Sequence, residues 1–187
     1  MRLTVLGDSL AAGYGLALAD AFPARLEAAL RADGYAVEVL NAGVSGDTTA
    51  GGRARLDWTL ADAPDAVIVE LGANDGVRGI DPGRVFDNLD AIVGELKARG
   101  VAVLLAGMRA PPNYGRAYGE AFNSIYPRLA DKHDVPLYPF FLDGVAARPE
   151  FNQPDGLHPN ARGVEAIVKR IAPYVKRLLE SAAARGS

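Results

Sequence analysis

Ala66-Val67-Ile68-Val69-Glu70-Leu71 is an apolar run broken only by Glu70, and Gly72-Ala73-Asn74-Asp75-Gly76 follows at once. A strand with one wet face alternates apolar and polar residues, whereas a strand covered on both faces does not. The run therefore reads as a strand buried on both sides that ends in a polar, glycine-rich loop. Leu3 to Leu6, Ala36 to Leu40, Val101 to Ala106 and Val135 to Tyr138 have the same character.

Helical patterns lie between these runs. Phe22, Leu26, Ala29 and Leu30 recur at helical spacing in Ala21 to Ala32, with Gly34 just past the end. Thr48 or Thr49 can cap a helix running to about Ala61. Asp81-Pro82 supplies an N-cap and a first-turn proline for a helix to Arg99, which Gly100 closes. Tyr118 to Lys132 reads as helix. Pro159 opens a last one, interrupted or kinked near Pro173, whose tail over 181–187 is expected to fray. Strand and helix alternate throughout without a linker or repeat. This predicts a doubly wound α/β domain with a parallel sheet, spanning residues 1–187 as one unit.

Composition narrows the chemistry. The chain has 187 residues, no cysteine and two histidines. Thiol nucleophiles, disulfides and Cys-ligated metals are excluded, and little is left for a metal site built on imidazole. No metal or organic cofactor is expected. Hydrophobic residues make up 49 % and charged ones 23 %, which is globular composition, and the formal net charge of −3 offers no footprint for nucleic acid or an anionic surface. No apolar run approaches a membrane span. The apolar stretch Met1 to Leu6 is too short for a signal peptide. The cytoplasm is expected for the chain as it stands, and the periplasm if a leader has been removed. Oligomeric state is left open.

In open α/β sheets ligands bind beyond the carboxyl ends of the strands, so the loops after each strand carry the candidates. His133, in Asp131-Lys132-His133-Asp134, reads as a solvated helix C-terminus. His158 lies in Gln153-Pro154-Asp155-Gly156-Leu157-His158-Pro159. There Asp155 is placed either to orient the imidazole or to cap the next turn. Of five serines, Ser9 and Ser45 follow strands. Ser9 is an N-cap or a nucleophile presented at the sheet edge, and Ser45 sits in a glycine-rich turn. Asn74 is an amide donor for an oxyanion or the start of an Asx turn. The lipase elbow Gly-x-Ser-x-Gly is absent, because Ala11 holds its last place.

Taken together, Gly7-Asp8-Ser9-Leu10, Ser45-Gly46-Asp47, Gly72-Ala73-Asn74-Asp75 and Asp155-Gly156-Leu157-His158 resemble the four sequence blocks of the SGNH (GDSL) hydrolases, in that family's order. The resemblance spans about residues 3 to 175. The text around Pro112-Asn113-Tyr114-Gly115-Arg116 and Phe122-Asn123-Ser124-Ile125-Tyr126-Pro127 is similar to the bacterial thioesterase, arylesterase and lysophospholipase subgroup. The resemblance implies a three-layer α/β/α fold of flavodoxin-like type, with a five-stranded parallel sheet in the order 2-1-3-4-5. It implies Ser9 as nucleophile, His158 as general base and then acid, and Asp155 as its orienter. The oxyanion hole would comprise the Ser9 and Gly46 backbone N–H groups and the Asn74 amide, Gly46 being glycine so that no Cβ blocks close approach.

The expected substrate is a small carboxylic ester or thioester, with short- to medium-chain acyl or aryl esters first and lysophospholipids included. Asp8, Val77, Ala110, Pro111, Pro112, Tyr114 and Phe140 are the candidate substrate contacts, the Phe140-Phe141 pair being open to a core-packing reading. A carbohydrate O-acetyl esterase on the same residues is the nearest rival, and a non-catalytic lipid- or glycan-binding protein a distant one. A phosphoacceptor domain of the same topology is disfavoured, since Asp8 has no acidic neighbour in its loop. An imidazole base implies activity that rises through roughly pH 6–7.5.

Overall fold

A computed structural model describes residues 1–185. Five strands, β1 (Arg2–Gly7), β2 (Glu38–Gly43), β3 (Ala66–Glu70), β4 (Ala102–Ala106) and β5 (Leu137–Tyr138), form one sheet in the order β2-β1-β3-β4-β5. All four pairings are parallel; Leu3 faces Ala66, Ile68 faces Leu104 and Leu105 faces Leu137. Every residue of β3 and β4 is buried, as their unbroken apolar runs require.

Nine helices, α1 (Ser9–Ala12), α2 (Phe22–Ala32), α3 (Thr49–Ala54), α4 (Leu56–Thr59), α5 (Ala73–Val77), α6 (Pro82–Ala98), α7 (Gly115–Asn123), α8 (Ile125–His133) and α9 (Ala161–Arg185), are found among the described residues. α2 packs with α9, while α6 packs with α3 and α8. Right-handed crossovers from β1 leftward and from β3 rightward put these two groups on opposite faces of the sheet, giving three α/β/α layers. Phe22, Phe122, Tyr126 and Phe141 are the bulkiest fully buried side chains, and Phe22 meets Phe141 edge to face at 5.0 Å.

Several boundaries differ from the sequence reading. β2 begins at Glu38 rather than Ala36 and continues through Asn41-Ala42-Gly43, because pairing with β1 and not the apolar run sets its extent at this sheet edge. The helix expected from Thr48 to Ala61 breaks at Arg55 (φ −109°), whose guanidinium is drawn back to the Gly7 carbonyl and the Asp47 carboxylate. The helix expected over 118–132 is two, parted at Ser124. Pro127 lacks the N–H that would bond the Asn123 carbonyl, and its ring crowds that position. α9 starts after Asn160, whose side chain caps Gly163 N–H at 3.0 Å. It passes through Pro173, held by the buried stripe Val168, Ile171, Val175, Leu178 and Leu179. Residues 181–185, where the tail is expected to fray, continue α9; Gly186 and Ser187 lie outside the described residues.

Candidate active site

β1 and β3 are neighbours, so the loops that leave them are neighbours too. Ser9 opens α1, a single turn directly after β1. Asp8 caps it by accepting from Leu10 N–H at 3.0 Å, and Gly13 closes it in the left-handed region with φ 80°. The turn holds Ser9 Oγ 3.0 Å from His158 Nε2. His158 Nδ1 lies 2.7 Å from Asp155 Oδ2. Asp155 Oδ1 also accepts from the backbone N–H groups of His158 (3.0 Å) and Leu157 (2.9 Å). These bonds, that from the His158 N–H first, bring the Asp155 carboxyl down to about 2. Orienting the imidazole and capping the turn are therefore not alternatives for Asp155: one oxygen organises the turn and the other meets the ring. Ser45 lies exposed on the turn after β2, and among the described residues neither histidine bonds to it.

Asn74 leads from the end of β3 toward the same edge. Its Nδ2 donates to Asp8 Oδ2 at 3.0 Å and to the Asp47 carbonyl at 2.9 Å, which ties the loops after β1, β2 and β3 together. Gly46 sits one residue before Asp47 with φ +85°. A Cβ there would find its nearest neighbour, Arg78 Nη2, at 3.9 Å. The left-handed backbone, not lack of space, is what calls for glycine. Arg78 Nη2 donates to the Gly46 carbonyl at 3.0 Å and steadies this turn from the end of α5.

Below the Ser9 turn lie two buried carboxyls. Burial raises Asp8 to about 6, against the opposing hydrogen bonds from Leu10 and Asn74. Glu70, also fully buried, is raised well above the usual carboxylate range by burial and then by the Asp8 charge. Its Oε2 accepts from Asp8 N–H at 3.3 Å, so the last residue of β3 props the turn that carries Ser9. Neighbouring Asp75 accepts from Thr49 N–H (2.8 Å) and Oγ1 (2.7 Å), locking α5 to the start of α3.

The expected substrate contacts divide. Asp8 is corrected: its side chain is fully buried and spent on Leu10 and Asn74, so it presents no atom to a ligand. Val77, Pro111 and Tyr114 gather beside Asn74. Tyr114 OH donates to the Val77 carbonyl at 2.8 Å, and Pro111 packs over Gly76. Ala110 and Pro112 flank them, with Ala110 N–H bonded to Asn123 Oδ1. Phe140 stands apart: it packs under Arg109 at the β5 edge, with β3 and β4 between it and the Ser9 strand. His133 is also remote. Its Nε2 lies 2.7 Å from Asp90 across α6 and α8, and with 14 % of its side chain exposed it is a half-buried partner rather than a solvated helix end.

Arg55, Arg78, Gln153 and Tyr14 do not stand out in the sequence, although each, like Glu70, touches a site loop. Only Glu70 carries a signal there, as the one polar residue closing an apolar strand. Among the described residues, no cluster of His, Asp and Glu could hold a metal ion. No described helix is long and apolar enough to cross a membrane.

A serine hydroxyl, imidazole and carboxylate in series, beside an amide and a left-handed glycine turn, form the constellation of a serine hydrolase on an α/β/α sheet. The chain belongs to the GDSL-like lipase/acylhydrolase family, whose pattern matches residues 5–166. It is a carboxylic ester hydrolase of that class. It is 44 % identical over 172 residues to an arylesterase of Vibrio mimicus, covering 91 % of this chain and 86 % of that one. It is 46 % identical over 178 residues to the thioesterase 1/protease 1/lysophospholipase L1 of Escherichia coli K12, covering 95 % and 84 %. The crystal structure of TesA superposes with a TM-score of 0.90 at 41 % identity, over 95 % of this chain and 99 % of that one.

Proposed function

We propose that Ser9 is the nucleophile of an acyl-enzyme mechanism. His158 takes the Ser9 proton as Oγ attacks the ester or thioester carbonyl, then gives it to the leaving alcohol or thiol. Water activated by the same imidazole releases the acid. Asp155 holds the ring in the tautomer that leaves Nε2 free and favours the imidazolium that forms. The carrying observation is the unbroken Ser9–His158–Asp155 chain, at 3.0 and 2.7 Å.

The developing oxyanion is received by the Ser9 and Gly46 backbone N–H groups and by Asn74. Both Nδ2 hydrogens of Asn74 are engaged, one by Asp8 and one by the Asp47 carbonyl. The oxyanion therefore draws one donor away, and the anchored Asp8 bond keeps the amide correctly turned. Removing one such donor typically costs ~100–1000-fold in kcat.

Val77, Pro111 and Tyr114 offer an apolar wall next to Asn74, which suits a short- to medium-chain acyl or aryl group. The names of the relatives above support thioesters and lysophospholipids as further substrates. A panel of p-nitrophenyl esters from acetyl to palmitoyl, with acyl thioesters beside them, tests this on the wild type and Ser9→Ala. The expected result is activity kept from C2 to C8 and lost by at least about a thousandfold in Ser9→Ala. A steep fall between C2 and C8 would turn the reading to an O-acetyl esterase.

A further inference from the structure

Tyr14 lies two residues beyond α1, on the loop that leaves the nucleophile turn. Its ring covers one face of the His158 imidazole, with ring centroids 4.6 Å apart and planes tilted by 37°. The loop is fastened to the base-carrying segment by one residue. Gln153 Nε2 donates to the Tyr14 carbonyl at 2.7 Å and to the Pro159 carbonyl at 3.0 Å, while Gln153 N–H donates to the His158 carbonyl at 2.8 Å. Next to Tyr14, Gly15 has φ +72°, and a Cβ there would overlap Gln153 Oε1. The clasp thus holds Tyr14 against the imidazole although 54 % of the tyrosine is exposed.

We propose that Tyr14 is a positioning residue for the general base: its π-face stabilises the imidazolium that His158 becomes, and Gln153 holds it there. This rests on His158 acting as base, as argued above. When the Ser9 proton moves to Nε2, positive charge spreads over the ring, and the negative quadrupole face of a tyrosine attracts it. The other groups facing the ring are Asp155 at Nδ1, Ser9 at Nε2 and the buried Asp8 carboxyl, which acts on it through its charge. Asp155 and Asp8 also favour the cation, so Tyr14 adds to them rather than opposing them.

The test compares Tyr14→Leu and Tyr14→Phe with wild type. Leucine keeps an apolar cover over the imidazole and removes the π-face, whereas phenylalanine keeps both. For Tyr14→Leu the acidic limb of the kcat/KM–pH profile is expected to move to lower pH by about half a unit, with kcat down roughly threefold to tenfold and KM for a small acetate ester nearly unchanged. Tyr14→Phe should match wild type in both. NMR titration of the His158 ring protons, with His133 as internal control, reads the same shift without any turnover. It therefore separates failure of this proposal from failure of the catalytic assignment, which Ser9→Ala decides. An unmoved His158 titration and pH limb in Tyr14→Leu would overturn the proposal. So would an equal shift in Tyr14→Phe, which would place the effect in the hydroxyl.

Discussion

Asp8 sits next to Ser9 yet faces inward, and its two oxygens do two jobs: Oδ1 caps α1 and Oδ2 aims Asn74. Asparagine at this position offers one acceptor where aspartate offers two, so Asp8→Asn should release either the cap or the amide. A fall in kcat of about tenfold or more is expected, read on any ester the wild type turns over. Stability should move the other way. Burial raises the Asp8 carboxyl to about 6 from 3.8, so folding favours its protonated form. That contribution is fully present below the unfolded value and is lost as pH rises through about 6. Removing the ionisable group should therefore stabilise the fold more at pH 8 than at pH 4, by up to ~3 kcal/mol in the limit set by the shift. Thermal melts at the two pH values check this, and equal changes at both would refute it. Asp155 has the opposite sign. Its carboxyl is held down to about 2, so its stabilising contribution is present above the unfolded value and lost only as pH falls through about 2. The imidazole therefore keeps its ionised partner throughout the neutral and mildly acidic range.

At the level of elements, α1 depends on how closely it can lie against the strands. Gly7 ends β1, and a Cβ there would overlap the Glu70 carboxylate and Ala11 Cβ. Gly7→Ala should push the Ser9 turn off its Glu70 prop, at a cost of about 1–3 kcal/mol in stability, with a larger proportional loss in kcat than in KM. Denaturant melts and steady-state kinetics on one preparation would show both. His133 provides the contrast. It ties α8 to Asp90 on α6, whose carboxyl Lys132 and then His133 hold low. His133→Ala should leave kcat/KM within about twofold of wild type and lower Tm by a few degrees. These elements were legible in the sequence to different degrees. β3 and β4 announced themselves because burial on both faces leaves no alternation to misread. Of the breaks at Arg55 and Ser124, the first was hidden, since it follows from a guanidinium reaching Gly7 from a distant part of the chain. The second had a local signal in Pro127, a breaker that a purely apolar periodicity passes over.

For the whole molecule, the 2-1-3-4-5 order explains why residues as far apart as Ser9, Asn74 and His158 meet. β1 and β3 are adjacent in the sheet, so the Ser9 and Asn74 loops leave side by side. The chain returns after β5 to bring Asp155 and His158 over the same edge, and α9 then packs against α2. Ser9, Asn74, Asp155 and His158 each sit in a short block of the sequence, and the fold brings those blocks to one sheet edge. The residues that hold them, Tyr14, Gln153, Arg55 and Arg78, were not readable, because they bond across 32 to 139 residues through backbone carbonyls that any sequence supplies. Of the expected substrate contacts, Val77, Pro111 and Tyr114 converge beside Asn74, while Phe140 lies at the β5 edge, with β3 and β4 between it and the Ser9 strand. Which hydroxyl among the five serines attacks the substrate is read by treating the protein with a fluorophosphonate and mapping the adduct by peptide mass spectrometry. Stoichiometric labelling of Ser9 is expected, with loss of esterase activity in step, and no labelling in His158→Ala. Labelling at Ser45 or at any other serine, or full activity with Ser9 fully modified, would contradict the assignment of Ser9 as nucleophile.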